Sequence, residues 1–262
     1  MTLTWEDLAA RARARQLPDA GAPTTPEEVA AALRRIGAIQ SQTARSTFLG
    51  LAARFPGITH AAITEAFETA TIVRGTTLRG TVHTVAATDH PLHEAVTRLS
   101  RRPEIERTLR PERFALEELW AAQEAYAADE PRTADELHAH LAAWAGERDG
   151  RDPEEVRASV GRSLSYGHGG LVRRPLTGGW EGQGAAGYTT STVPDRARRV
   201  ADPIALDHLV RTHLVAHGPA SRQDLAWWAG LNLGTVDAAL DRLGLDGEEG
   251  PDGRRYVDLP EA

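Results

Sequence analysis

Apolar positions recur at spacings of three and four through most of this 262-residue chain, so the pattern predicts a mostly helical fold. In the last third, Leu206, Leu209, Val210 and Leu214 mark one helix, Leu225 and Trp228 a second, and Val236, Leu240 and Leu243 a third. Turns at Gly218-Pro219 and Gly230–Gly234 separate them. Gly247–Gly253 then joins two short extended pieces, the second ending in Arg255-Tyr-Val-Asp-Leu259. Three short helices and a hairpin are the layout of a winged helix-turn-helix. The middle third repeats it, with helical stretches near 112–128, 133–145 and 153–167 before hairpin arms at Leu171–Arg174 and Gly187–Thr190. The first third places helices near 4–16, 25–36, 46–54 and 59–69 before arms at Thr71–Arg74 and Gly80–Val85.

Helix starts are marked independently of periodicity. Thr25-Pro-Glu-Glu28, Thr133-Ala-Asp-Glu136 and Ser221-Arg-Gln-Asp224 are capping-box sequences, and Asp152-Pro153 places proline where its missing N–H costs nothing. The expected organisation is three tandem winged-helix units with small β wings, over residues 1–100, 101–195 and 196–262, joined by linkers near 100–111 and 191–202. The wing of the middle unit carries a long glycine-rich tip, Thr177-Gly-Gly-Trp-Glu-Gly-Gln-Gly184.

Composition narrows the chemistry. The chain is 41% hydrophobic and 26% charged, with no apolar run near the ~20 residues that span a bilayer and no secretory leader pattern at its start, so a cytoplasmic, nucleoid-associated protein is expected. It has no cysteine, and all 30 basic residues are arginine. Thiol nucleophiles, P-loop lysines and side-chain Schiff bases are thereby excluded. Arginine forks suit phosphates and guanine edges, and a net charge of −7 leaves room for a local basic patch. The dense arginine run from Arg98 to Arg113, interrupted by Glu104, Glu106 and Glu112, is expected to be a solvated linker. His83, His90 and His93 do not have zincin spacing, so neither a metal nor a cofactor is expected.

Helix 25–36 stops at Gly37, and Ala38-Ile-Gln-Ser-Gln-Thr43 bridges to the next helix. On an extended connector Gln40 and Gln42 point to one side, whereas on a helix they would diverge by about 200°. Two amides then converge. Spacing alone leaves helix capping open beside catalysis.

Ile36-Gly-Ala-Ile-Gln-Ser-Gln42, Val73-Arg-Gly-Thr-Thr-Leu-Arg-Gly-Thr-Val-His83 and His217-Gly-Pro-Ala-Ser-Arg-Gln-Asp-Leu-Ala-Trp-Trp-Ala-Gly230 resemble, in that order, the AlkZ-like winged-helix DNA glycosylases. The resemblance implies a monofunctional enzyme that excises N7-alkylated purines, including bulky natural-product guanine adducts or crosslinks, from double-stranded DNA, working as a monomer with Gln40 and Gln42 as its catalytic pair. It also implies a β-rich C-terminal domain that this chain, ending at Ala262, lacks. Arg45, Arg79, Thr81, His83, Trp180 and Gln183 are the candidate DNA contacts. Arg79, Thr81 and His83 are expected to alternate on one strand face, either as phosphate or cleft contacts or as wing packing around a satisfied buried histidine, and the tip at Trp180 and Gln183 either to reach into a groove or to be a mobile loop without DNA contact. Trp144 and the Trp227-Trp228 pair are expected to pack in helix cores. A winged-helix transcriptional regulator and an architectural module are the competing readings.

Overall fold

The computed structural model describes residues 2–191 and 202–260. Its first group of elements is α1 (Trp5–Gln16), α2 (Pro26–Ile36), β1 (Ile39–Gln40), α3 (Ser46–Arg54), α4 (His60–Glu68), β2 (Ile72–Thr76) and β3 (Val82–Ala86). Then follow α5 (His90–Leu109), α6 (Leu116–Tyr126), α7 (Ala134–Asp149), α8 (Pro153–Ser159), β4 (Leu171–Pro175) and β5 (Ala186–Thr190). The last group is α9 (Asp202–His217), β6 (Ala220–Ser221), α10 (Arg222–Ala229), α11 (Leu233–Leu243), β7 (Gly247–Glu249) and β8 (Arg255–Val257). The protein is mostly helical with small antiparallel sheets, as its periodicity indicates.

The capping boxes operate as written in the sequence. Thr25, Thr133 and Ser221 each accept from the backbone N–H three residues on, while Glu28, Glu136 and Asp224 bond back to the cap. Asp152 caps α8 with Pro153 in its first turn. Each box satisfies backbone donors that a bare helix start leaves open.

Among the described residues, three of the apolar clusters lie chiefly between helices. One joins α2, α3 and α4 around Leu33, Leu51 and Ile63, with Ile72 from β2. A second gathers α6, α7 and α8 around Trp120, Leu141 and Val156. The third lies among α9, α10 and α11, around Leu214, Leu225 and Val236.

Helix α5 corrects the expected linker near 100–111. It runs unbroken across that stretch, with Val96 in the third core and Ile105 and Leu109 in the second. Pro103 and the charge density suggest a break and a solvated segment. In place of them, Arg101 pairs with Glu104, Arg102 with Glu106 and Glu117, and Arg98 is buried against Glu94 and Glu124. Pairs at these spacings support a helix and neutralise the face that packs. The linker expected near 191–202 falls almost wholly outside the described residues.

The sheets bind the groups together differently from three separate wings. A five-stranded antiparallel sheet has the order β1-β3-β2-β4-β5, so the first hairpin and the second share one sheet, paired through Gly75 and Val172. The other sheet, β6-β8-β7, belongs to the last group alone. α1 lies against that last group: Leu3 and Leu8 pack on Tyr256, and Arg15 donates to both carboxylate oxygens of Asp258 at 2.8 and 2.9 Å.

Candidate active site

The segment between α2 and α3 is extended, as its composition suggests, because Gly37 breaks the helix at φ 83° and Ile39-Gln40 pairs with the edge of β3. Gln40 lies opposite His83 and Ile39 opposite Thr84. Along the connector, exposure alternates: Gln40 and Gln42 are exposed and Ser41 between them is fully buried. Both glutamines thus lie exposed at the edge of the five-stranded sheet, Gln40 on β1 and Gln42 just past its end.

What holds them is a set of bonds that the sequence does not announce. The Ser41 N–H donates to the Val82 carbonyl at 2.8 Å, continuing the ladder. Inside, the Ser41 hydroxyl accepts from Thr84 at 3.0 Å, and Thr84 lies 2.6 Å from the hydroxyl of Thr47 on α3. From the strand beyond, Arg74 donates to the carbonyls of Ser41 at 2.9 Å and Gln42 at 3.2 Å. Burial, reinforced by the nearby charge of Arg173, lowers the Arg74 pKa to about 10, which leaves it charged at neutral pH. Arg74 is thus a fixed clamp on the backbone beneath both glutamines.

Gln42 is constrained further. Its side-chain Oε1 accepts from the Val82 N–H at 3.1 Å. A backbone N–H can only donate, so the atom it meets is the carbonyl oxygen and the amide orientation follows. The NH2 group is the end that remains to face a ligand. Gln40 lies directly on the strand with its amide in solvent.

The remaining candidates separate. Arg45 occupies the position before α3, exposed, three residues after Gln42. Arg79 and Thr81 both precede β3, which begins at Val82, so they do not share a strand face with His83 as expected. Residues Leu78–Gly80 form a tight turn, and Arg79 sits there with φ 55° and its guanidinium donating to the Trp228 carbonyl. Thr81 is half-buried and donates to the Leu78 carbonyl at 3.0 Å.

His83 is buried, 3% exposed, with Nδ1 3.0 Å from the Thr77 hydroxyl and 3.1 Å from the Thr81 carbonyl. Burial pushes its pKa down to about 4, with the Arg79 charge adding to the fall and the Thr81 bond opposing it. The imidazole is therefore neutral and enclosed on the strand beside β1, in keeping with the satisfied buried histidine of the two expected roles.

Trp180 is corrected as well. Its ring stacks on Phe67 at 4.7 Å and 7°, and Glu181 reaches His60 on α4 at 3.4 Å, so the glycine-rich tip folds back onto the first group. Stacking removes apolar area from water that a free tip would expose. Gln183 stays exposed at the end of that tip. Of the three tryptophans expected in helix cores, Trp144 packs edge-on against Phe114 and Trp228 lies against His213, but Trp227 is 77% exposed. Among the described residues no group of three or more histidines and carboxylates is arranged to hold a metal ion, and no helix is long and apolar enough to cross a membrane.

Sequence reasoning finds the glutamine pair but misses Arg74, Ser41, Thr84 and Thr47. Ser41 could have been noticed as the inward residue of an alternating trio. Arg74 carries no such signal, because its partners are 32 and 33 residues away.

The model of one protein family, described as DNA glycosylase AlkZ-like, matches residues 33–262. Among solved structures, Streptomyces sahachiroi DNA glycosylase AlkZ is similar to this chain at a TM-score of 0.78, covering 99% of this chain and 70% of that one. The identity is 18%, so that likeness speaks for a common fold. No curated protein matches the chain. With most of its length matched by the family model, the chain belongs to the AlkZ-like DNA glycosylase family and is an enzyme of that class.

Proposed function

From that membership, we propose that the protein is a monofunctional glycosylase that hydrolyses the N-glycosidic bond of N7-alkylated purines in double-stranded DNA, bulky natural-product guanine adducts or crosslinks among them. It acts as a monomer in the cytoplasm, at the nucleoid, through three tandem winged-helix units over residues 1–100, 101–195 and 196–262. The observation that carries the reading is the exposed pair Gln40 and Gln42 on a connector held from three sides.

The chemistry suits such residues. A purine alkylated at N7 already bears positive charge, so its C1′–N9 bond breaks with the electron pair passing to the base, and no acid is needed to protonate the leaving group. The remaining task is to set a water against a sugar carbon that is turning oxocarbenium-like. Gln40 accepts a hydrogen bond from that water through its carbonyl, without taking the proton. Gln42, its carbonyl taken by Val82, donates an N–H to the water oxygen. The other lone pair of the water then faces C1′, and the water proton is released to solvent as the new C1′–O bond forms. Dipoles fixed in advance toward developing charge need no reorganisation as the bond breaks, which is why the clamp by Arg74 and the Ser41–Thr84–Thr47 chain support a catalytic reading. Since glutamine is no strong base, undamaged purines are poor substrates. With no lysine in the chain, no side-chain amine is available to form an imine with the abasic sugar.

The test is a single-turnover assay on a duplex with one N7-methylguanine. The expected result is free N7-methylguanine and a strand that stays intact until alkali is added. Absence of free base at enzyme excess, with the duplex still bound, overturns the assigned substrate. Prompt nicking without alkali overturns the monofunctional claim.

A further inference from the structure

Trp227 is the one large apolar side chain of α10 that the fold does not enclose. It is 77% exposed, while its neighbour Trp228 turns inward against His213 at 4.6 Å. A ring exposed singly is ordinary at a protein surface, so what matters is what lies beside it. Trp227 is not alone. The guanidinium of Arg79 lies over the ring, 5.4 Å from its centroid, and donates to the Trp228 carbonyl.

Two details show that this pairing is built. Arg79 holds a left-handed backbone, φ 55°, which residues other than glycine rarely adopt and which persists only where the surroundings impose it. The turn after α10 closes on the arginine stem: a Cβ at Gly230, itself at φ 70°, would lie 3.1 Å from Arg79 Cγ. Arg79 makes no ion pair with a carboxylate among the described residues, so its charge is available to a phosphate.

The arginine of the pair is also close along the chain to the strand that holds Gln42. Arg79 is three residues from Val82, whose N–H holds Gln42. Three residues span at most about 10 Å, the length of roughly three base steps. We propose that Trp227, backed by Arg79, is a stacking platform for a base of the duplex beside the damaged nucleotide, with the guanidinium meeting the adjoining phosphate. Reaching a purine inside a duplex requires its neighbours to unstack, and an aromatic face recovers stacking for any base without reading sequence. The inference rests on the glycosylase reading for the position of the damage, but the contact itself needs no catalysis.

The experiment uses the full chain in a Gln42→Ala background, so that the base is retained. Duplexes carry one N7-methylguanine and a 5-iodouracil at one of the four neighbouring positions; irradiation joins this base to an aromatic ring stacked on it. A crosslink that mass spectrometry maps to Trp227 is expected. Trp227→Ala should lose it and bind about 10-fold more weakly. Trp227→Phe should keep most of the affinity. Circular dichroism and melting should be unchanged in both, because the ring is exposed. Arg79→Gly, which relieves the backbone strain, should weaken the crosslink. A Trp227→Ala protein that binds as tightly as its parent, or crosslinks mapping elsewhere from all four positions, overturns the proposal. If wild-type protein releases no base yet Trp227 still crosslinks, the glycosylase reading fails and the platform stands.

Discussion

The five-stranded sheet buries nearly every residue of β2 and β3 and draws strands from two units, whereas the three-stranded sheet leaves Glu248 and Glu249 of β7 in solvent and stands alone. The difference shows where each part gets its rigidity. The larger sheet holds its edge strand by internal bonds from Val82, Thr84 and Arg74, and the candidate catalytic pair is placed on that edge. The smaller sheet is fixed from outside, by α1 on Tyr256 and Asp258. Gln16 at the end of α1 joins the two regions. Its NH2 donates to the carbonyls of Ile36 and Ala216, at 2.7 and 2.8 Å, and its Oε1 accepts from Arg54 at 3.0 Å. That single amide ties the ends of α2, α3 and α9. A stiff sheet for chemistry and a tethered unit for contact is the division that the predictions probe.

The largest effect should come from the stiff sheet. Gln40→Ala and Gln42→Ala should each lower single-turnover base release about 10²-fold or more, with duplex affinity nearly unchanged. The double variant should lose less than the two combined, since both act on one water. Charge swaps separate the roles. Gln42→Glu keeps an acceptor for Val82 but loses its donor, so its rate should fall. Gln40→Glu keeps the acceptor and should retain activity, acquiring an acid limb near the carboxyl range that wild type, without a titrating group in the pair, does not show. Wild-type rates for both alanine variants, with folded protein by circular dichroism, would make the pair structural.

The tether should cost less. Gln16→Ala leaves two carbonyls and the Arg54 guanidinium short of a partner, for a loss of about 1–3 kcal/mol. Its melting temperature should drop by several degrees, while base release at 25 °C by the folded enzyme stays close to wild type. A melting curve that does not move would show that Gln16 carries no such load.

Acid should act on the same joint by smaller steps. His93 on α5 and His213 on α9 are pushed down to about 3 by burial, helped by His208 and His90 around the first and by His217 beside the second. Both are neutral when folded, while in the unfolded chain they titrate near 6.5. The unfolded state therefore binds more protons between these values. The stability they confer is complete above about pH 6.5 and falls as the pH drops toward 3, by about 1 kcal/mol for each histidine at pH 5.5. Melting followed from pH 7.5 to 5.5 should show the decline, and the variant His93→Phe should make it shallower, leaving the share of His213. A curve unchanged over that range would contradict the buried, neutral assignment.

The local rules of the chain are legible without a structure. Capping boxes at Thr25, Thr133 and Ser221, the stop at Gly37 and the three-and-four spacing of α9 to α11 act over a few residues, so the helices and the extended glutamine connector follow from sequence. Tertiary structure alone decides what those elements meet. Pro103 and a run of arginines read as a linker until Glu94, Glu117 and Glu124 are seen to neutralise α5 against its neighbours. Trp180 reads as a free tip until Phe67 gives it a face to stack on. Trp227 reads as core until the turn at Gly230 leaves it outside with Arg79. Even the site divides this way. The spacing of Gln40 and Gln42 is local, but the clamp from Arg74, the buried link from Ser41 to Thr47 and the N–H that orients Gln42 come from strands and a helix brought together only by folding. Burial and pairing depend on residues distant along the chain, and no short-range pattern encodes which of them will arrive.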